Sequence, residues 1–298
     1  MSRVGVLLWR HIFESGDAKR IAQQHPDISM LEFVKDLPYD SDGDQGHLFD
    51  IYRRKDGSKD DPVMINIHGG GLFASYKEVN AHFNYAIAKM GYTVVSLSYR
   101  RVPETDLWHQ VSDIMKALRH IKAHAEELGI NLKKLYLSGD SAGALLAFFA
   151  LALNKNEKLQ REFGILGADL DIKAAALISI MLETQRKDIL FSLNSVVCSK
   201  EDKGKAYEKY LRKPSLMLQE GKLPPIVQFT SVEDMIRADS LEFNKLLERY
   251  GNTHELHDYA KGKERQLVHV FSVMYPDYPE SIEVYNTMDA FFKKYEGE

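Results

Sequence analysis

The stretch Leu135-Tyr136-Leu137-Ser138-Gly139-Asp140-Ser141-Ala142-Gly143 decides the fold, because it joins a strand-like run directly to the helix-like run Ala144 to Leu153. A serine at the centre of such a turn needs tight backbone angles and close strand and helix approach, and small residues two positions either side permit both. Gly-x-Ser-x-Gly in a strand-turn-helix context is the pattern of a nucleophile elbow, with Ser141 as nucleophile and Gly139, Asp140 and Gly143 in support. Outside that context it reads as a glycine-rich turn in which Ser141 caps a helix.

Outward from this turn, strand-like runs rich in β-branched and aromatic residues recur at His47 to Arg53, Val63 to Ile67, Tyr92 to Tyr99, Lys134 to Leu137, Ile172 to Met181, Ile226 to Thr230 and Thr253 to Tyr259. Helical stretches separate most of the later ones: Val79 to Met90, Leu107 to Leu128, Ala142 to Leu153, Arg237 to Tyr250 and Ser281 to Tyr295. The alternation predicts an α/β fold, a mostly parallel central sheet of about eight strands flanked by helices. Two parts break it and are too long for simple connections. Residues 1–36 read as an N-terminal cap-like segment, ahead of a catalytic domain over 37–298. Within that domain, 183–222 reads as a helical lid insertion, in which Phe191, Leu193, Val196, Val197, Tyr207, Tyr210 and Leu211 suit short amphipathic helices over an apolar pocket.

The 298 residues, 44% of them hydrophobic, suffice for one sizeable core. Lysine and arginine number 39 against 43 acidic residues, a formal charge of -4, so the overall balance favours neither nucleic acid nor an anionic membrane as partner. A small molecule is the expected partner. The single cysteine, Cys198, excludes an intrachain disulfide and fits a reducing compartment. The apolar run Val4 to Trp9 is short, is followed by Arg10 and His11, and lacks a cleavage site, so it makes a poor signal peptide. A complete cytoplasmic protein is expected.

A second motif, His68-Gly69-Gly70-Gly71, follows the buried-looking strand Val63 to Ile67. Consecutive glycines are costly to order, and make sense where backbone N–H groups must approach a ligand oxygen with no Cβ in the way. That is the requirement of an oxyanion hole, with the N–H groups of Gly70, Gly71 and Ala142 as donors and His68 and Gly69 in support.

With these residues in view, the chain resembles the hormone-sensitive-lipase-like carboxylesterases of the α/β-hydrolase superfamily from about Asp61 to the C-terminus. The resemblance rests on the His-Gly-Gly-Gly loop, on Tyr99-Arg100-Arg101-Val102-Pro103-Glu104, similar to the family's Tyr-Arg-Leu-Ala-Pro-Glu, and on Gly-Asp-Ser-Ala-Gly, in that order. It implies the α/β-hydrolase fold with a helical cap and the chain order Ser, acid, His. The segment Ser231 to Asp239 is similar to the family's Asp-x-Leu-x-Asp and implies Asp234 as the acid, with Glu233 and Asp239 as neighbours that compete for the role. His269, in a His-x-Phe setting, matches the family's base, whereas His254 and His257 alternate within the last strand. Departures from the family are Ala144 and Leu72, where a glycine and an aromatic are common, and Arg101.

The resemblance implies a serine carboxylesterase without metal or cofactor, acting on esters of small to medium acyl chains through an acyl-enzyme. Two alternatives carry a sequence basis. The same fold can serve as a non-catalytic small-molecule receptor. Gly69-x-Gly71-x-x-Ala74 after a strand, with Arg100 and Arg101 beyond the next, satisfies a dinucleotide fingerprint and would make an NADP oxidoreductase. Homo-oligomerisation through an edge strand stays open.

Overall fold

The computed structural model describes residues 3–184 and 197–297. Among them one sheet runs in the order β1-β2-β4-β3-β5-β6-β7-β8. The strands are β1 Leu31–Pro38, β2 Leu48–Arg54, β3 Val63–Ile67, β4 Thr93–Leu97, β5 Leu135–Asp140, β6 Ile172–Ile178, β7 Ile226–Ser231 and β8 His254–Tyr259. β1 and β2 are antiparallel additions at one edge, and β3 to β8 run parallel. The arrangement is the α/β-hydrolase fold.

Strands β3, β4, β5 and β7 are buried along their whole length, so their side chains divide between two cores by the two-residue strand period. On one face, Val63, Ile65, Leu135 and Leu137 meet α3 (Leu107–Ala123) and α4 (Ala142–Asn154). On the other, Met64 and Tyr136 meet α2 (Ala81–Lys89) and, after the intervening helices, a C-terminal helix over Pro279–Lys294. All of α4 is buried, as its apolar run from Ala142 to Leu153 requires, and the terminal Asn154 donates to the Leu170 carbonyl at 2.7 Å.

The N-terminal segment departs from the expected division at residue 36. Helix α1 (Arg3–Ala22) is followed by β1, which pairs with β2, so that boundary falls inside a strand of the main sheet. β1 escapes a pattern reading because only Leu31 of its eight residues is buried, as befits an edge strand. α1 is held by Arg10, which donates to the Phe73 and Val102 carbonyls at 2.5 and 2.6 Å and pairs with Glu104, and by Glu14, which pairs with Arg101.

Of the expected lid, Phe191, Leu193 and Val196 lie outside the described residues. Tyr210 and Leu211 are buried in a short helix, Glu208–Arg212, and Tyr207 stacks on Phe163 at 5.4 Å. No described helix is long and apolar enough to cross a membrane.

Candidate active site

Ser141 sits at the turn between β5 and α4 with φ 52° and ψ -118°, a conformation forbidden to most side-chain-bearing residues. A Cβ on Gly139 would come within 2.5 Å of the Gly143 carbonyl, and one on Gly143 would strike the carbonyls of Ile67 and His68. The two glycines therefore let the first turn of α4 press against β5 and the end of β3. Ser141 occupies the N-cap position but makes no side-chain capping bond. Its Oγ lies 2.9 Å from His269 Nε2 instead.

His269 stands in the loop after β8, 128 residues from Ser141. Its Nδ1 is 2.8 Å from Asp234 Oδ1, so one imidazole links hydroxyl and carboxylate. The next residue, Val270, is a β-branched residue at φ 49°, a strained geometry that turns the chain immediately after the imidazole. Its N–H donates to Ser179 Oγ at 3.3 Å.

Asp234 follows β7, with its side chain 1% exposed. Oδ1 also accepts the Ile236 N–H at 2.9 Å, and Oδ2 accepts the Thr230 hydroxyl at 3.1 Å. Burial by itself pushes this carboxyl up, but the hydrogen bond and charge of His269, with Ser179 and the Ile236 N–H, outweigh it and hold the group below its ordinary value. The competing acids are engaged elsewhere. Glu233 Oε2 accepts the N–H groups of Gly262 and Leu267, at 3.1 and 2.8 Å, in the loop that carries His269. Asp239 accepts the Leu182 N–H at 2.9 Å and fixes the chain after β6. His254 is 2.8 Å from the Asn252 carbonyl through Nδ1, and His257 stacks on Phe229 at 5.4 Å, so both stay with β8.

The glycine-rich loop follows β3, with Gly70 at φ 109° and Gly71 at φ 62°. A Cβ on Gly70 would strike the Ala74 carbonyl, and that turn is closed by N–H donors from Phe73 and Ala74 to the Gly70 carbonyl at 3.1 and 2.9 Å. Gly69, Gly70, Gly71, Asp140, Ser141 and His269 line one cavity of about 420 Å³. Ala142 is buried directly behind Ser141 at the first position of α4, where a helix leaves its N–H without an intrahelical partner. His68 is fully buried, stacks on Tyr99 at 4.4 Å, and has its pKa pulled down to about 4 by that burial, which favours the neutral imidazole.

Asp140 is tied to the loop. Its Oδ1 accepts the Gly69 N–H at 3.0 Å and the Asn80 amide at 2.7 Å, while burial pushes its pKa up to about 6. Asn80, just ahead of α2, is a site residue that the motif reading passes over, since its partner is 60 residues away. The same holds for α1, whose Ile12, Phe13, Asp17 and Arg20 form one wall of the cavity. The arginines of the dinucleotide reading are already paired. Arg100 grips Asp113 at 2.9 and 2.6 Å, and Arg101 holds Glu14 while lying over the Tyr76 ring.

The chain is similar to known proteins. The profile of the BD-FAE family matches residues 49–205. The chain is 30% identical over 179 residues to the probable carboxylic ester hydrolase LipM of Mycobacterium tuberculosis, covering 56% of this chain and 39% of that protein. It is 29% identical over 177 residues to esterase LipQ of the same organism, covering 58% and 39%. The chain thus spans about two fifths of the length of these curated relatives. In fold it is similar to esterase B of Lactobacillus rhamnosis, with TM-score 0.91, 24% identity and coverage of 98% of this chain and 94% of that one. On the profile match across more than half its length, the chain belongs to the BD-FAE family.

Proposed function

We propose that the protein is a serine carboxylesterase in which Ser141 is the nucleophile, His269 the general base and acid, and Asp234 the residue that orients the imidazole. One observation carries the reading: His269 is hydrogen-bonded through Nδ1 to Asp234 at 2.8 Å and through Nε2 to Ser141 at 2.9 Å. A free serine hydroxyl is a weak nucleophile, so His269 takes its proton as Oγ attacks the ester carbonyl. The ionised Asp234 keeps the proton-bearing nitrogen on its own side and stabilises the imidazolium. The tetrahedral oxyanion is received by the N–H groups of Gly70, Gly71 and Ala142, donors whose removal in comparable sites costs about 2.7–4 kcal/mol each. His269 then protonates the departing alcohol, and water activated by the same imidazole releases the acid. No cofactor enters these steps.

The cavity's apolar walls, among them Phe13, Leu72, Met181 and Val273, and its volume of about 420 Å³ suit small to medium acyl chains. A crystal structure of the similar esterase B is one with a tributyrin phosphonate inhibitor, of the same size class. The single Cys198 is half-buried, and burial pushes its thiol up to about 11, which suits an inert thiol in the cytoplasm. The test is hydrolysis of p-nitrophenyl esters of increasing chain length by wild type and Ser141→Ala, with fluorophosphonate labelling of Ser141. Turnover that Ser141→Ala abolishes supports the reading. Absence of both turnover and labelling in folded wild type leaves a ligand-binding protein of the same fold.

A further inference from the structure

Helix α1 presents two contrasting faces. Val6 is fully buried, Trp9 and Phe13 pack against the core, and Phe13 meets Phe73 edge-on at 5.4 Å. On the opposite side Val4, Leu7, Leu8 and Ile12 are 76, 42, 60 and 48% exposed. Val4, Leu8 and Ile12 are four residues apart and Leu7 lies three from Val4, so the four form one stripe. Arg3, His11 and Lys19 are exposed on the same side. Of the helix's acidic residues, Glu14, with its side chain 39% exposed, pairs with Arg101, and Asp17, 25% exposed, pairs with Arg20 of the same helix. The solvent-facing side of α1 is therefore apolar with a net positive charge, since the partly exposed Glu14 is paired with Arg101, although the chain as a whole carries -4.

The stripe also leads to the cavity. Ile12 belongs both to the exposed stripe and to the cavity wall, and Met235, 65% exposed, lines the same space. A lone apolar stripe fits many occupants. One flanked by net positive charge and continuous with the wall of an apolar cavity fits a surface that is itself apolar below and anionic above.

We propose that the outer face of α1 docks the protein on an anionic lipid surface, with Val4, Leu7 and Leu8 entering the apolar boundary and Arg3 and Lys19 meeting the phosphates, so that the cavity mouth opens beside the lipid. The whole-chain charge argues against an anionic membrane as partner, but a net charge is an average, and this face departs from it. The docking is read without turnover, so it stands or falls separately from the esterase reading.

The experiment is co-sedimentation of the full chain with vesicles of phosphatidylcholine alone and of an equal mixture with phosphatidylglycerol, at low and high salt. Wild type is expected to partition roughly tenfold or more better onto the anionic vesicles and to lose that preference at high salt. Leu8→Asp, which does not touch the cavity, is expected to abolish binding while p-nitrophenyl butyrate turnover in vesicle-free buffer stays at the wild-type level. The pair Arg3→Glu and Lys19→Glu keeps the apolar stripe, protects the test against misfolding of Leu8→Asp, and is expected to erase the anionic preference. Failure of wild type to pellet with anionic vesicles overturns the proposal, as does unchanged binding by the charge-reversed variant. A dimer in light scattering that Leu8→Asp splits, without vesicle binding, assigns the face to a second copy and overturns it too.

Discussion

Glu233 holds Leu267 by a hydrogen bond of 2.8 Å from the main-chain N–H to Oε2, and the same oxygen takes the Gly262 N–H. The residue beside the catalytic acid candidate is thereby the anchor of the loop that carries the base. Glu233→Ala is expected to lower kcat on p-nitrophenyl butyrate between roughly tenfold and a hundredfold by loosening His269. Glu233→Gln, which keeps an acceptor oxygen, is expected to recover most of it. A wild-type rate in Glu233→Ala would remove the anchor role.

Asp234→Asn keeps the shape of the carboxylate but not its charge or its acceptor pair. The imidazole is then free to present its N–H toward Ser141, and kcat is expected to fall on the order of 10⁴-fold, as at comparable triads. Stopped assays on a single ester, with the folded state checked by circular dichroism, read this directly.

Asp140 has a folded pKa raised to about 6 against an ordinary 3.8, principally by burial. The folded protein therefore binds the proton more tightly than the unfolded chain, and stability falls as pH rises through the interval from the lower value to the upper. Asp140→Asn retains an amide oxygen for the Gly69 and Asn80 donors and carries no charge. Its Tm is expected to gain on wild type as pH climbs past that interval, and parallel Tm curves for the two proteins would count against the buried charge.

His47 is 1% exposed, with Nδ1 at 2.9 Å from Asp42 and 3.8 Å from Asp40 and Nε2 at 3.1 Å from Asp113. Burial opposes its charge, but the bonds to Asp113 and Asp42 and their charges together outweigh burial and raise its pKa above 6.5, with Arg100 paired to Asp113 and Lys116 to Asp40. The protonated imidazole thus contributes stability that is complete below the unfolded value and is lost as pH rises through the folded one. Denaturant melts across neutral to mildly alkaline pH are expected to show this loss in wild type and to show it flattened in His47→Gln.

The elbow was legible because its pattern is local: Gly139 is required by the Gly143 carbonyl within one strand-turn-helix unit, although Gly143 itself is required by the Ile67 and His68 carbonyls at the end of β3. Parallel strands buried on both faces likewise announce themselves as unbroken apolar runs, which is why β3 and β5 stand out while β1, with one buried residue, does not. The three neighbouring carboxylates were different. Motif order favoured Asp234, but only the tertiary structure separates it from Glu233, which ties the histidine loop, and Asp239, which ties the chain after β6.

By itself the sequence determined the α/β layering, the strained serine turn and the candidate residues, since each depends on backbone sterics or on an apolar period that a short window contains. Tertiary structure alone decided that Asn80 and Asp140 brace the glycine loop and that α1 walls the cavity. It also decided that Arg101, a departure from the family motif, serves to hold Glu14 of that helix. These are contacts between segments tens of residues apart, and their energies depend on burial and distance, quantities that come into being only when the chain has folded.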